Sequence, residues 1–237
     1  MNEPSISTAA RNELYRAVAP AWHTAVLLLV LLGFSLSSAR TGHFGISRYG
    51  RAGGYVCVMA FEWILVGFIW YGVRSRSVRL SELIGGRWTR VRDVFRDLGI
   101  AVGFLIVGSI ILQGLAHLLH AGASDALRSL FPRSPLEILL WILLSMTAGI
   151  CEEIHCRGYL QRQFAAWTGS ASGGIVLQGA VFGAAHGYQG WKMMLVIAVY
   201  GIIFGLLAQW RGSLRPGMMA HFMQDGVGGL AARHLMR

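Results

Sequence analysis

Two adjacent glutamates, Glu152 and Glu153, lie inside an apolar stretch that runs from Trp141 to Phe164. Ionisable residues are costly in hydrocarbon, so within a membrane span they face a polar cavity and mark a functional site. Residues three or four positions apart share one face of an α-helix, which places Glu153 beside Arg157. We therefore expect a charge-assisted Glu153–Arg157 pair, with Glu152 left free to act as a general base.

Two later apolar stretches carry polar residues at helical spacing. Phe182 and His186 lie four positions apart in one, and His221 and Asp225 do so in the other. Either histidine alone is explained by a hydrogen bond between packed helices, but together with the glutamates they indicate a shared site. A carboxylate near imidazoles can deprotonate water for attack on a carbonyl, and a histidine oriented by an aspartate can donate to the resulting oxyanion. The set predicts amide hydrolysis.

The elements that must position these residues are membrane helices. Hydrophobic residues make up 54% of the 237 residues, charged residues only 14%, and the mean hydropathy is +0.52, which is more apolar than a soluble domain. We expect an all-α polytopic membrane protein with about seven transmembrane helices around an intramembrane polar cavity. The expected spans are residues 22–38, 55–73, 98–119, 141–164, 172–186, 193–210 and 216–232.

The formal charge of +10 comes almost entirely from arginines between apolar runs. This placement predicts contact with anionic lipid headgroups and argues against a nucleic-acid partner. Seven arginines between Arg74 and Arg96 flank a short interfacial helix. With the amino terminus inside, thirteen of the 21 basic residues, including Arg11 and Arg16, lie on the inner side. We therefore expect a multi-pass protein of a bacterial-type inner or plasma membrane, with a cytoplasmic amino terminus and Glu152 toward the cytoplasmic half.

We expect one integral membrane domain in two parts. Residues 1–134 would form the amino-terminal membrane helices and the arginine-rich interfacial segment, and residues 135–237 would form the catalytic helices. Glu62, in the middle of the second span, could join the cavity or pair with a polar neighbour. The cysteines, Cys57, Cys151 and Cys156, have no metal-site spacing and are interpreted as small packing residues.

The motifs in this order resemble those of the CPBP family, which comprises CAAX proteases and bacteriocin-processing enzymes and is also called the Abi family. The matching motifs are Glu152-Glu153-x-x-x-Arg157-Gly158, Phe182-x-x-x-His186 and His221-x-x-x-Asp225. The resemblance covers about residues 135–230. It implies an all-helical intramembrane endopeptidase in which Glu152 and His186 activate water, and His221 with Asp225 supports the oxyanion. Glu153 and Arg157 would be required members of the first motif.

The first motif departs from that family in its middle. Family members usually carry apolar residues there, whereas this chain has His155 and Cys156. On an α-helix His155 would share a face with Glu152, where it could add a ligand or alter the protonation of that carboxylate. It could equally face the headgroups.

The same residues allow two mechanisms, one with a divalent metal and one without. Glu152, His186 and His221 could give a divalent metal such as zinc three ligands and leave a place for water. A metal-free glutamate mechanism uses the same residues, and because the zincin signature His-Glu-x-x-His is absent we favour it. The expected partner is a membrane-associated peptide or protein, for which a prenylated carboxyl-terminal tail is one option.

Two other functions remain open. Glu152-x-x-His155 matches half of the pattern of di-iron oxidases, but the chain has no second Glu-x-x-His. A non-catalytic immunity or scaffold protein could also keep the same residues as a polar clasp between helices.

Overall fold

The computed structural model describes residues 15–41 and 49–235, and within these ranges the chain is helical with no strand beyond one isolated bridge, between Gly85 and Ser213. Arg11, which we counted toward the charge bias, lies outside the described residues. The elements are α1 (Ala21–Thr41), α2 (Gly50–Arg74), α3 (Leu80–Ile84), α4 (Val91–Leu118), α5 (Asp125–Leu130), α6 (Pro135–Glu153), a π-helix (Ile154–Leu160), α7 (Gln161–Thr168), α8 (Ala171–Ala184), a 3-10 turn (Gly187–Gln189), α9 (Trp191–Arg211) and α10 (Arg215–Leu235).

The predicted polytopic all-α membrane architecture is confirmed. Five stretches of the described chain are long and apolar enough to cross a membrane: Ala21–Arg40, Gly50–Arg74, Val91–Leu118, Pro135–Thr168 and Trp191–Arg211. The other two expected spans correspond to α8, which is apolar but shorter, and to α10. Helix α10 carries His221, Gln224 and Asp225, and these polar residues lower its hydropathy.

The start of α6 is fixed by local chemistry. Ser134 caps the helix by accepting a hydrogen bond from the backbone N–H of Glu137, and the Glu137 carboxylate accepts from the backbone N–H groups of Arg133 and Ser134. Pro135 takes the first helical position, where no backbone donor is needed. Arg51 of α2 holds the same carboxylate at 3.2 Å. The helix that carries the two glutamates therefore begins at a defined position against α2.

The main hydrophobic core joins the amino-terminal helices to the segment that follows the glutamates. Leu27 of α1 and Ile69 of α2 are fully buried in the same cluster as Tyr159 and Phe182. Burial of apolar surface between these elements stabilises the association of the two parts of the chain.

Polar contacts add to this association at Tyr159. The Nε2 of His23 donates to the carbonyl of Phe68 at 2.9 Å, so its Nδ1 accepts from the Tyr159 hydroxyl at 2.7 Å. The hydroxyl of Thr24 lies 2.8 Å from the same oxygen. In addition, the Gln163 side chain bonds the backbone just before α1. The amino-terminal helices are thus bonded to the π-helix and to α7.

The predicted interfacial helix corresponds to α3, which docks on the arginine-rich end of the bundle. Arg162 donates to the backbone carbonyls of Glu82 and Leu83, and Arg215 donates to those of Gly85 and Gly86. Gly85 has φ 63°, and a side chain at this position would collide with the backbone of Gly212, in the segment between α9 and α10. Only glycine allows this close approach at so small a cost in strain.

Candidate active site

The two glutamates stand where the winding of the helix changes. Glu153 ends α6, and the π-helix Ile154–Leu160 follows with all seven residues buried. Short π-segments inside α-helices are rare and occur frequently at functional sites. A π-turn contains more residues than an α-turn, so α-helical spacing alone does not give the direction of every side chain after Ile154.

The predicted pair of Glu153 and Arg157 is present and buried. Arg157 Nη1 lies 3.0 Å from Glu153 Oε1, with both side chains almost fully excluded from solvent. The guanidinium lies between the rings of Phe182 and Phe204, with its central carbon 4.3 and 4.8 Å from the two ring centroids. Stacking on aromatic rings stabilises a buried cation beyond its ion pair.

His221 joins the two adjacent glutamates. Its Nδ1 lies 3.2 Å from Glu153 Oε1, and since a carboxylate only accepts, this ring nitrogen carries the proton. Its Nε2 lies 3.8 Å from Glu152 Oε2 and 3.6 Å from Asp225 Oδ2. These two distances are too long for direct hydrogen bonds and are suited to bridging by water.

Small residues let α10 reach the glutamates. A Cβ on Gly217 would lie 2.9 Å from Glu153 Oε2, and one on Gly149 would lie 2.9 Å from the backbone of α10. Close approach of this kind at small residues is a common packing mode of membrane helices. The two glycines thus allow His221, one turn after Gly217, to meet Glu153.

His186 follows α8, whose last residue is Ala184. Its Nδ1 donates to the backbone carbonyl of Phe182 at 2.8 Å, which leaves Nε2 as an acceptor in the neutral ring. The ring centroids of Phe182 and His186 are 4.9 Å apart, so the two residues share a face as the spacing predicted.

A cavity of about 440 Å³ brings four of the predicted residues together: Glu152, His186, His221 and Asp225. The side chains of Glu152 and Asp225 are 21% and 38% exposed, so they are reachable from this space. Glu153 and Arg157 do not line the cavity and lie buried behind it. The six predicted site residues therefore form one connected cluster with four cavity-facing members and two supporting members.

The rest of the cavity wall is mainly apolar. It extends toward α5 and the 3-10 turn, and its apolar and aromatic residues include Tyr55, Leu130, Phe131, Trp141, Met193 and Val196. Among the described lining residues the only carboxylates are Glu152 and Asp225, and none is Arg or Lys. The wall thus favours an apolar occupant around a small polar centre.

Comparison with known proteins identifies the region that holds this cluster. The family model described as type II CAAX prenyl endopeptidase Rce1-like matches residues 134–227. This region of the chain is therefore similar to the Rce1-like family. The uncharacterized protein YpbD of Bacillus subtilis (strain 168) is 24% identical over 140 residues, which cover 58% of this chain and 67% of that protein. No solved structure matches the chain. All six predicted site residues lie within the Rce1-like region.

Glu62 lies outside the Rce1-like region but contacts its first motif. Its Oε2 is 3.3 Å from His155 Nδ1, with both side chains largely buried. Of the two positions that the sequence left open for His155, the one at the headgroups is wrong, because the side chain is buried and paired with Glu62. The pairing of Glu62 with a polar neighbour was one of the two options that the sequence left open.

The cysteines form no disulfide. Cys151 and Cys156 are buried and Cys57 is exposed, and all three are free thiols. Cys151 and Cys156 belong to the main hydrophobic core, which agrees with their interpretation as packing residues.

The Rce1-like site does not match a metal centre in its present geometry. No group of three or more His, Cys, Asp or Glu within residues 15–41 and 49–235 is arranged to hold a metal ion. We therefore derive no step through a metal.

Proposed function

We propose that this protein is an intramembrane endopeptidase that hydrolyses a peptide bond of a membrane-associated substrate. The observation that supports the proposal most is the convergence of Glu152, His186, His221 and Asp225 on one cavity among membrane helices. The similarity of residues 134–227 to the Rce1-like family supports a CAAX-protease-type function at the level of the family.

In the proposed reaction Glu152 is the general base. A water molecule between Glu152 and the acceptor Nε2 of His186 loses a proton to Glu152 as its oxygen attacks the substrate carbonyl. The tetrahedral intermediate then collapses, the carbon–nitrogen bond breaks, and the proton passes from Glu152 to the leaving amine. Water supplies both the oxygen of the new carboxylate and the proton that the amine gains.

His221 is the proposed oxyanion donor. With both ring nitrogens protonated it can donate Nδ1–H to Glu153 and Nε2–H to the oxyanion. Glu153, which is itself held by Arg157, fixes the orientation of the ring, and Asp225 holds the Nε2 side near the cavity. Glu153 and Arg157 are thus positioning residues, and Glu152, His186 and His221 are proposed to act on the reacting atoms.

The cavity wall indicates the substrate class. An apolar chain fits its aliphatic and aromatic lining, whether that chain is an apolar peptide segment or a prenyl group attached to a tail. The orientation that we propose, with the amino terminus in the cytoplasm of a bacterial-type inner or plasma membrane, rests on the excess of arginines at one end of the bundle.

The test uses the purified full-length chain in proteoliposomes with membrane-anchored fluorogenic peptides, both prenylated and unprenylated. We expect Glu152→Gln to lower kcat by about 10²-fold or more, because the general base is removed with almost no change in shape. Glu82→Gln, the same chemical change on the exposed helix α3, serves as the control and should keep full activity.

A well-folded Glu152→Gln variant that cleaves as fast as the wild type would overturn the proposal and favour the non-catalytic function. If Glu152→Gln is inactive, the same variant can be used as a trap, and the proteins that copurify with it but not with Glu82→Gln are the candidate substrates.

A further inference from the structure

A second cavity, of about 420 Å³, lies at the arginine-rich end of the bundle. Its wall includes three arginines, Arg16, Arg157 and Arg162, together with the polar residues Gln161 and Ser213. None of the described residues that line it is Asp or Glu. It therefore differs from the first cavity, whose lining includes two carboxylates and no arginine.

Arg157 separates the two cavities. On one side it pairs with Glu153 and stacks on Phe182, which lines the first cavity, while the arginine itself lines the second. The residue is only 2% exposed, yet its Nε has no hydrogen-bond partner among the described residues. A buried donor without a partner is costly, so an acceptor within the second cavity would stabilise this arrangement.

The other two arginines are exposed, and although the Glu82 carboxylate attracts Arg162 it forms no salt bridge with it. Arg162 donates only to backbone carbonyls, those of Glu82 and Leu83, at 2.8 and 3.3 Å. Within residues 15–41 and 49–235, neither Arg16 nor Arg162 forms a salt bridge, whereas Arg211 at the same end pairs with Asp97 at 2.9 Å. The cavity thus has an unbalanced positive charge that favours an anion.

We propose that the second cavity binds a phosphate-bearing anion. Arginine guanidinium groups match the geometry of phosphate oxygens, and three of them converge here. The cavity lies beside α3, a helix docked at the end of membrane spans, which is the level where lipid headgroups lie. A lipid phosphodiester and free inorganic phosphate share the required chemistry. Either would contact the guanidinium that also holds Glu153, so the anion would be bound one residue away from the candidate active site.

The experiment measures binding directly and does not depend on catalysis. The full-length chain is purified in a maltoside detergent without phosphate, and native mass spectrometry and calorimetry follow its titration with dihexanoyl phosphatidylglycerol and, separately, with inorganic phosphate. Saturable binding of the lipid that phosphate displaces only weakly identifies a headgroup site, whereas tight binding of phosphate alone identifies a site for a soluble anion.

Variants locate the site. We expect Arg162→Gln to weaken binding about tenfold, because one charge-assisted contact is lost. Arg92→Gln removes the same charge from an exposed position at the same end of the molecule but outside the cavity, and it should change the affinity less than about twofold. Because Arg162 also anchors α3, Arg16→Gln and the cavity-filling Ala208→Leu provide independent tests, and both should weaken binding.

The proposal is overturned if neither probe binds saturably to the wild type. It is also overturned if Arg92→Gln loses as much affinity as Arg16→Gln and Arg162→Gln, since binding would then follow the overall charge of this end. Wild-type affinity in Arg16→Gln and Ala208→Leu together would place any bound anion elsewhere.

Discussion

His221 Nδ1 lies 3.2 Å from Oε1 of Glu153, the carboxylate oxygen that Arg157 also contacts. The ring that we propose as the oxyanion donor is therefore oriented by a glutamate that never meets the cavity. The neighbouring Glu152 faces the cavity and is left for the reaction. Two adjacent residues of one type thus have separate tasks, one in positioning and one in chemistry.

Loss of the positioning carboxylate should damage both stability and activity. In Glu153→Gln the buried guanidinium of Arg157 loses its counter-charge, and we expect the free energy of unfolding to fall by about 3 kcal/mol or more. Thermal unfolding in detergent, measured beside Glu82→Gln as the matched surface change, checks this. Wild-type stability together with full activity would contradict the assigned role.

The pair of Glu62 and His155 should behave as one coupled unit. Replacing His155 by Phe leaves a buried carboxylate without its partner, so we expect a loss of about 2 kcal/mol or more. The double change Glu62→Gln with His155→Phe removes both members and should recover part of that loss. A double-mutant cycle on unfolding free energies measures the coupling, and simple additivity of the two single changes would show that the contact at 3.3 Å contributes nothing.

At position 225 an uncharged hydrogen-bond acceptor should be enough to support activity. Asp225→Asn keeps an oxygen that can face His221 Nε2 and should retain most of the activity, whereas Asp225→Ala removes it and should lower kcat/KM by about tenfold. Steady-state cleavage of the same peptide by both variants makes the comparison. If Asp225→Asn lowers activity as much as Asp225→Ala, the negative charge of Asp225 is required. Asp225 would then do more than orient the ring of His221.

The charge of the substrate near the cleaved bond should matter. The described wall of the first cavity has two carboxylates and no Arg or Lys, and the charge of a protonated His221 is already balanced by the carboxylates of Glu152, Glu153 and Asp225. A free carboxyl terminus a few residues from the cleaved bond would therefore be buried without a counter-charge of its own. We expect amidation of that terminus to raise kcat/KM by about tenfold, and by far less in a peptide extended by ten or so residues beyond the bond. Faster cleavage of the peptide with the free carboxyl terminus would contradict this prediction and would indicate a basic group that binds the terminal carboxylate.

Chelation tests the metal-free reaction. Because no three potential ligands within residues 15–41 and 49–235 are grouped to hold a metal ion, we expect activity to survive prolonged treatment with phenanthroline, with the zinc content measured by mass spectrometry before and after. Loss of activity that added zinc restores would establish a metal site and contradict the metal-free reaction.

Much of this site follows from local spacing in the sequence. The Glu153–Arg157 and His221–Asp225 contacts both join residues four positions apart, and the structure contains both. The contact between Glu153 and His221 joins α6 to α10, however, and depends on close packing at Gly149 and Gly217 that no local pattern reveals. The spans were also predicted, with ends that differ from the helices by up to seven residues, because length and hydropathy are properties of the chain alone.

The π-helix is the feature that the sequence did not predict, and the partner of His155 was not predicted either. Predictions from helical spacing assume 3.6 residues per turn along the whole helix. Here the segment Ile154–Leu160 is a π-helix, and its Tyr159 contacts His23 and Thr24 of α1, which are distant in sequence. The pairing of Glu62 with His155 likewise depends on how α2 packs against the π-helix. Such features are tertiary, and only the assembled fold determines them.

The hydroxyl of Tyr159 finds both of its partners in α1, which lies outside the Rce1-like match. A shortened chain that starts at Pro135 would present that hydroxyl, together with the amide of Gln163, to lipid, where neither group has a substitute partner. A minimal version of this protein must therefore keep its first helix. Swapping the amino-terminal third between relatives would succeed only when the replacement brings a histidine or an equivalent acceptor to the same depth.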